Sequence, residues 1–340
     1  MDRKYDVITL GEILLRLSTP INGRLAQGDT LMKHLGGAEL NIASEIGQLG
    51  LNTAIISKIP NNLLAAFIKN QLNASRVSEN YLIEDRSDDS RIGIYYYEYG
   101  SYPRKPRVVY DRKHSSINNI EISDVPQTLF YNTRLFHTSG ITLGLGGKAQ
   151  DFAIHCIKEF KKQGTLISFD VNYRSNLWTG EEARKCIETI LPYVDIFFCS
   201  EDTARLTFGK TGTINEIQKS FCEEYPISVV ASTERTVITP KKHNFTSIIY
   251  SAKEDTYYRE NPYNNIDVVD RIGSGDAYVS GALYGYLKHG DCQRALEYGN
   301  AMAAIKHSVI GDMVFTDLEE IDSIIDQHKN TSGYQAEMNR

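Results

Sequence analysis

The sequence predicts an α/β fold in which helices cover both faces of a mainly parallel central sheet. From Leu135 onward, short apolar segments alternate with stretches of helical periodicity. This alternation favours parallel strands joined by crossover helices. The apolar segment 5–10 provides a first strand, and the 340 residues, 41% of them hydrophobic, are enough to bury a large core.

The elements can be followed in order along the chain. Helical spacing of apolar residues begins near Ala38, whereas 14–35 is polar, rich in turn residues and without a helical period. The segments typical of strands are 5–10, 52–59, 91–97, 107–112, 135–137, 165–170, 194–199, 227–231 and 246–251. The segments typical of further helices are 62–72, 149–162, 181–191, 201–208, 275–287, 292–307 and 317–325.

Composition and charge exclude several classes of protein. A net charge of −6 gives no support for a nucleic-acid partner, which would favour a basic face. No window approaches the roughly 18 apolar residues of a membrane span, and the N-terminal segment lacks a signal-peptide pattern. The five scattered cysteines fit reduced thiols in a reducing compartment. We therefore expect a cytoplasmic enzyme that contacts neither nucleic acid nor membrane.

The most informative stretch is 268–276, which ends in Gly273-Ser274-Gly275-Asp276 directly before a predicted helix. Small residues allow close approach of the backbone to a ligand, and a helix N-terminus offers N–H groups to phosphate oxygens. Asp276 follows where a carboxylate can reach the group that attacks that phosphate. The alternative is a glycine-rich turn with an ordinary acid in the first helical turn.

A second group of polar residues closes the strand at 165–170. Asp170, Asn172 and Arg174 alternate, so in an extended chain they point the same way. Arg174 can bind a carboxylate in a fork, the alternative being a surface salt bridge.

Two nucleotide-binding motifs are excluded. The first strand is followed by Gly11 alone and not by G-x-G-x-x-G, which argues against an NAD dehydrogenase. Gly209-Lys210-Thr211 imitates the end of a phosphate-binding loop, but a helix and not a strand precedes it.

Several motifs together resemble one family. D-R-I-G-S-G-D at 270–276 is similar to the signature D-x-x-G-A-G-D of the ribokinase-like (PfkB) carbohydrate kinases, with Ser274 in place of alanine. G-G-A-E-x-N at 36–41 and D-x-N-x-R-x-x-L-W at 170–178 resemble the ketodeoxygluconate kinases of that family. The resemblance runs from Gly11 to about Asp312. It implies a three-layer α/β/α core (1–12, 36–90 and 114–330) with a β-sheet lid (13–35 and 91–113).

The resemblance also implies roles for individual residues. Asp276 would be the catalytic base, with Gly273, Ser274 and Gly275 forming an anion hole. The substrate-binding residues would be Gly37, Asn41, Tyr95, Tyr110, Arg112, Ile141, Arg174, Asp276 and Asp312. The nucleotide-binding residues would be Ser200, Ser232, Arg235, Gly273, Gly275 and Asn300, and Glu201 would organise the metal. For Tyr95, Tyr110 and Arg112 the alternative is packing on a sheet.

The implied activity is ATP-dependent phosphorylation of 2-keto-3-deoxygluconate at its terminal hydroxyl, with Mg²⁺ as cofactor. The resemblance also allows a monovalent cation near Asp270, and it implies a homo-oligomer, a dimer, as the assembly. We expect Arg112 and Arg174 to face one pocket with charges that only an acid sugar compensates. Alternatives are another sugar kinase, such as a fructokinase, and a catalytically idle sugar-binding or regulatory protein. Residues 231–236 lack the glycines of many relatives, so the adenosine contacts are left open.

Overall fold

The computed structural model describes residues 3–330, which form two β-sheets and a set of helices around them. The strands are β1 Tyr5–Leu10, β2 Leu14–Ser18, β3 Met32–Gly36, β4 Thr53–Pro60, β5 Val77–Ser78, β6 Leu82–Asp85, β7 Gly93–Glu98, β8 Arg107–Asp111, β9 Thr133–Ser139, β10 Leu166–Asp170, β11 Ile196–Phe198, β12 Val229–Thr239, β13 Lys242–Ser251, β14 Thr256–Arg259 and β15 Tyr263–Asp267. The α-helices are α1 Ala38–Gln48, α2 Leu63–Ala74, α3 Gly140–Gly144, α4 Gly147–Lys162, α5 Gly180–Glu188, α6 Glu201–Phe208, α7 Ile214–Glu224, α8 Ser274–His289, α9 Cys292–Ser308 and α10 Leu318–Lys329.

The large sheet has the strand order β14-β13-β12-β11-β10-β9-β1-β4-β5, with β15 beside β13 and β6 beside β4. Strands β12 to β5 run parallel, and β13 to β15 add an antiparallel extension. The carboxyl ends of β1, β9, β10 and β11 therefore meet at one edge of the sheet, where ligands gather in open α/β sheets.

Side chains of the central strands alternate between two cores, one on each face of the sheet. On β11, Phe197 packs in the core beneath α4 to α7, whereas Ile196 and Phe198 pack in the core beneath α1, α8 and α9. Burial on both faces is what a parallel sheet requires. The three-layer α/β/α arrangement predicted from the sequence is confirmed.

The small sheet has the order β3-β2-β7-β8, with β2 and β7 parallel and the outer pairs antiparallel. Its strands come from two segments, 14–36 and 93–111. The small β-sheet that the resemblance implied is therefore confirmed, although the polar composition of 14–35 did not by itself indicate the strands β2 and β3. In residues 3–330, the helices are too short or too polar to cross a bilayer.

The extension beyond β12 is the largest difference from the expected elements. We predicted that this strand would end at Ala231, but it continues to Thr239 and returns as β13 from Lys242. The side chains from Glu234 to Thr239 are exposed, so the hairpin projects beyond the core. Because neither face of this segment is buried, its sequence does not show the alternation of apolar and polar residues that predicts a strand. Helix α7 was also not predicted.

Candidate active site

A cavity of about 320 Å³ lies between the carboxyl edge of the large sheet and the small sheet. It gathers side chains from strand ends, from the start of α1, from the small sheet and from the start of α8. The predicted site residues that line it are Gly37, Asn41, Tyr95, Tyr110, Arg112, Ile141, Arg174, Arg235, Gly273, Ser274, Gly275, Asp276 and Asp312. The predicted motifs, distant in sequence, therefore meet in one place.

The loop before α8 has the geometry of an anion site. Gly273 precedes the helix with φ of +83°, and a side chain there would overlap the main-chain carbonyl of Asp312. Only glycine combines this left-handed backbone with such close packing. The N-terminus of the 16-residue helix α8 then faces the cavity with its N–H groups and positive dipole end.

Asp276 stands in the first turn of α8 and accepts a hydrogen bond from Nδ2 of Asn41 at 2.7 Å. Burial raises the pKa of Asp276 to about 6, while the Asn41 hydrogen bond and the charge of Arg174 act in the opposite direction. The carboxyl is thus ionised at neutral pH and has a pKa close enough to accept a proton there.

Arg112 was expected to bring an uncompensated charge to the cavity, and the structure corrects this expectation. Nε of Arg112 donates to Oε2 of Glu12 at 2.8 Å, and both side chains are buried. The other carboxylate oxygen of Glu12 accepts from the Ser115 hydroxyl. The charge of Arg112 is therefore compensated inside the protein.

Three other arginines line the cavity without a carboxylate partner in residues 3–330: Arg174, Arg235 and Arg271. Nη1 of Arg174 donates to the carbonyl of Tyr173 at 3.1 Å. Although much of the Arg235 side chain is exposed, partial desolvation at the cavity wall and the charge of Arg271 both lower the pKa of Arg235. Guanidinium groups that repel one another in a cavity are suited to an anionic ligand.

A second cavity of about 200 Å³ adjoins the first and shares Asp170, Asn172, Arg174 and Gly275 with it. Ser200, at the N-cap of α6, lines the second cavity but not the first. Burial and the charge of Asp276 raise the pKa of Asp170 to about 7. An elongated anion reaching from one cavity into the other would pass the N-terminus of α8.

Three predicted site residues lie outside the two cavities. The Ser232 hydroxyl donates to the carbonyl of Cys199 at 2.7 Å, and Nδ2 of Asn300 donates to Glu260 at 2.6 Å. The carboxylate of Glu201 accepts from Nε of Arg205 at 2.9 Å on the outer surface of α6. Their roles toward a nucleotide or metal stay predictions.

Five charged or polar residues that line the first cavity were not predicted as site residues: Glu12, Glu39, Asp170, Asn172 and Arg271. Asp170 and Asn172 share the alternating pattern that singled out Arg174, so the signal was present. Arg271 lies at a variable position of the signature. Glu12 lies two residues after the end of β1, but its partner Arg112 is far away in sequence, and nothing local indicates the pair.

A buried ion-pair network joins the small sheet to the loops around the anion site. From β2, Arg16 donates to Oδ2 of Asp270 at 2.5 Å and to Oδ1 of Asp312 at 2.8 Å. Tyr95 on β7 donates to the other oxygen of Asp312. Arg16 is fully buried, and each carboxylate that it contacts comes from a different loop. The small sheet is thereby held in a defined position over the cavity.

Comparison with known proteins finds relatives over nearly the whole chain. Residues 4–317 match the model of the pfkB family carbohydrate kinases. The 2-dehydro-3-deoxygalactonokinase of Haloferax volcanii is 30% identical over 94% of this chain and 96% of its own, and the ATP-dependent 6-phosphofructokinase of Thermoanaerobacterium thermosaccharolyticum is 31% identical over 95% and 94%. The solved 2-dehydro-3-deoxygluconokinase of Thermotoga maritima superimposes with a TM-score of 0.89 at 32% identity, covering 95% of this chain and 99% of its own.

Proposed function

Because this chain belongs to the pfkB family of carbohydrate kinases, we propose that it transfers the γ-phosphoryl group of ATP to the terminal hydroxyl of 2-keto-3-deoxygluconate. The observation that carries the choice of acceptor is Arg174, a guanidinium without a carboxylate partner in the part of the chain described, in the same cavity as Asp276. One end of the acceptor presents a hydroxyl to Asp276, and the other presents its carboxylate to Arg174.

The proposed mechanism of phosphoryl transfer depends on the position of Asp276. Its carboxylate takes the proton of the attacking hydroxyl as the new O–P bond forms and the bond between the γ-phosphorus and the bridging oxygen breaks, which releases ADP. The N–H groups at the start of α8, which line the same cavity, would stabilise the negative charge of the transferred phosphoryl group. Catalysis is thus positioning and electrostatic stabilisation, without a covalent intermediate on the protein.

The unpaired Arg235 and Arg271 support the same assignment from the donor side. A phosphoryl group in transfer spreads negative charge over its oxygens, and arginine is suited to bind it. Both side chains line the cavity that holds the N-terminus of α8. We propose that they contact the phosphates of ATP, with the second cavity receiving the rest of the triphosphate.

The donor set fits Mg²⁺, which takes one or two carboxylates and keeps its remaining ligands as waters and phosphate oxygens. Asp170 lines both cavities, and its carboxylate accepts one hydrogen bond, from the Asn172 N–H at 3.1 Å. Bound there, the ion supplies charge neutralisation of the phosphates. Glu201, the residue predicted for this role, would have to leave Arg205 first.

Several further expectations belong to the same proposal. The small sheet would act as a lid over the acceptor, with Tyr95, Tyr110 and Arg112 facing it from β7, β8 and the residue after β8. Assembly as a homo-oligomer and a cytoplasmic location stay predictions.

The test is a phosphorylation assay with a panel of acceptors, each followed by mass spectrometry of the product. We expect the highest kcat/KM with 2-keto-3-deoxygluconate, followed by its C4 epimer 2-keto-3-deoxygalactonate, and a value about 10–100-fold lower with fructose, since charge-assisted contacts to the acid are lost.

Two results would overturn this choice of acceptor. Fructose as the best acceptor would make the protein a fructokinase, and fructose 6-phosphate as the best acceptor would assign the unpaired arginines to a sugar phosphate. Absence of transfer to any acceptor, with binding of the sugar acid retained, would favour the idle sugar-binding protein.

A further inference from the structure

The loop that carries the anion site is attached to the end of α9. The N–H groups of Val269 and Asp270 both donate to the carbonyl of His307, at 2.8 and 3.1 Å. Gly273 packs against the main chain of Asp312 in the following loop. The N–H groups at the start of α8 are therefore placed by two loops, 268–273 and 309–312, which meet at the C-terminal end of α9.

A lysine side chain joins these two loops. Lys306, in the last turn of α9, is fully buried, and its Nζ donates to the carbonyl of Asp270 at 3.1 Å and to the carbonyl of Val309 at 2.9 Å. Main-chain carbonyl oxygens converging from two loops are the ligands that hard monovalent cations use. Here an ammonium group, similar in size to K⁺, already occupies the point where they converge.

The charges around Lys306 leave no place for another cation. The Asp270 carboxylate accepts from Arg16 at 2.5 Å, from the Tyr99 hydroxyl at 3.2 Å and from the N–H groups of Ile272 and Gly311 at 3.1 and 3.2 Å. Burial lowers the pKa of Lys306, whereas Asp270, Asp312 and Glu45 act to raise it and Arg16 acts to lower it.

Two cations, Arg16 and Lys306, thus face the two carboxylates of Asp270 and Asp312. The third acid nearby, Glu45, adds little charge at neutral pH, because burial raises its pKa to about 8. An added ion would bring an unbalanced charge into a buried cluster, which is costly. The monovalent cation that the sequence resemblance allowed near Asp270 does not fit the residues present.

We propose that the Lys306 ammonium is a built-in substitute for a monovalent metal ion, so that the anion site is formed without K⁺ or Na⁺. Lys306 is then a positioning residue: it contacts neither acceptor nor nucleotide, and it fixes the two loops that place the N–H groups of α8. The proposal rests on phosphoryl transfer by this family, but it does not depend on which sugar is the acceptor.

The first experiment uses the wild-type protein and compares KCl, NaCl and tetramethylammonium chloride at equal ionic strength. We expect kcat and the thermal unfolding midpoint to agree among the three salts, with kcat within about twofold. A kcat several-fold higher in KCl, or a midpoint raised by KCl alone, would overturn the proposal. The acceptor is whichever sugar gives turnover, so failure of the substrate assignment would be seen separately, in the acceptor panel.

The second experiment removes the ammonium group. Lys306→Ala leaves room at the carbonyl oxygens, and we expect kcat to fall at least tenfold in tetramethylammonium chloride and to recover in part with KCl or NH₄Cl, with a parallel rise of the unfolding midpoint. Lys306→Met fills the same space and should not be rescued by either salt. Full activity of Lys306→Ala without dependence on the cation would contradict the proposal. Should the variants not fold, the comparison of salts with the wild-type protein still decides.

Discussion

The arginines beside the small sheet are paired with carboxylates, whereas Arg235 on β12 and Arg271 in the loop before α8 have no such partner in residues 3–330. Arg112 is bound to Glu12, and Arg16 to two carboxylates, before any ligand arrives. Arg235 and Arg271 have no carboxylate partner within residues 3–330. Paired charges hold the walls of the cavity in place, whereas the arginines without a carboxylate partner in residues 3–330 are the ones we propose to bind anionic ligands. Under this proposal the same residue type serves structure on one side and ligand binding on the other.

The largest effect on activity is expected from Asp276→Asn, which keeps the shape and the Asn41 contact but removes the base. We expect kcat to fall about 10²–10⁴-fold with small changes in both KM values. Asp151→Asn, an exposed change on α4, should leave kcat unaltered. Retention of more than about a tenth of wild-type kcat, a change of roughly 1.4 kcal/mol or less in the barrier, would show that Asp276 is not the base.

The pH dependence of wild-type kcat/KM checks the same assignment independently. Asp276 acts as a base only when ionised, and burial raises its pKa to about 6. Activity should therefore be full above this pH and fall as the pH decreases through about 6. A profile flat down to pH 5 would exclude a base with this pKa.

The difference between arginines with and without a carboxylate partner in residues 3–330 can be tested by measuring how their substitution changes the free energy of unfolding. Arg112→Met leaves the buried carboxylate of Glu12 without its partner, which we expect to lower the free energy of unfolding by about 3–5 kcal/mol. Arg271→Met in the same cavity should change it by no more than about 0.5 kcal/mol while raising the KM for ATP.

Urea unfolding of both variants measures the difference in the free energy of unfolding. The double substitution Glu12→Gln with Arg112→Met should recover part of the stability that Arg112→Met alone loses. Equal destabilisation by Arg112→Met and Arg271→Met would remove the distinction between the two sides of the cavity.

A smaller effect is expected from Arg174→Met, which removes the proposed carboxylate contact. The kcat/KM for 2-keto-3-deoxygluconate should fall about 10–100-fold, and the value for fructose should change little, because the lost contact is charge-assisted. The ratio of the two values in wild type and variant is the measurement. An unchanged ratio would move the carboxylate contact away from Arg174.

The smallest effect on the Mg²⁺ requirement is expected from Glu201→Gln, because the Glu201 carboxylate is paired with Arg205 on the surface of α6. Asp170→Asn should raise the Mg²⁺ concentration for half-maximal activity several-fold, because Asp170 lines both cavities. Mg²⁺ titrations of the activity of the two variants show which of the two carboxylates contributes to metal binding. A larger rise in Glu201→Gln would return the metal role to Glu201.

The parts of the site that could be predicted from sequence are those in which neighbouring residues act together. D-R-I-G-S-G-D predicted the start of α8 within one residue, because glycines, a helix start and an acid are contiguous. Arg16 shows the opposite case: it is fully buried in a strand that the polar pattern of 14–35 concealed. Its partners Asp270 and Asp312 lie at the other end of the chain, and no local pattern relates residues so far apart.

The pairing of β2 with β7 bears on the order in which the protein assembles. In this parallel pair Leu14 lies opposite Gly93, and between them the chain passes through α1, β4 and α2, which belong to the large sheet and its helices. Bringing together segments so distant costs chain entropy that is recovered only when the intervening core is already folded. We therefore expect the small sheet to form late in folding and to lose protection from hydrogen exchange before the central sheet does. On this expectation, the small sheet that borders the candidate site depends on the finished core and is not a module that could fold without it.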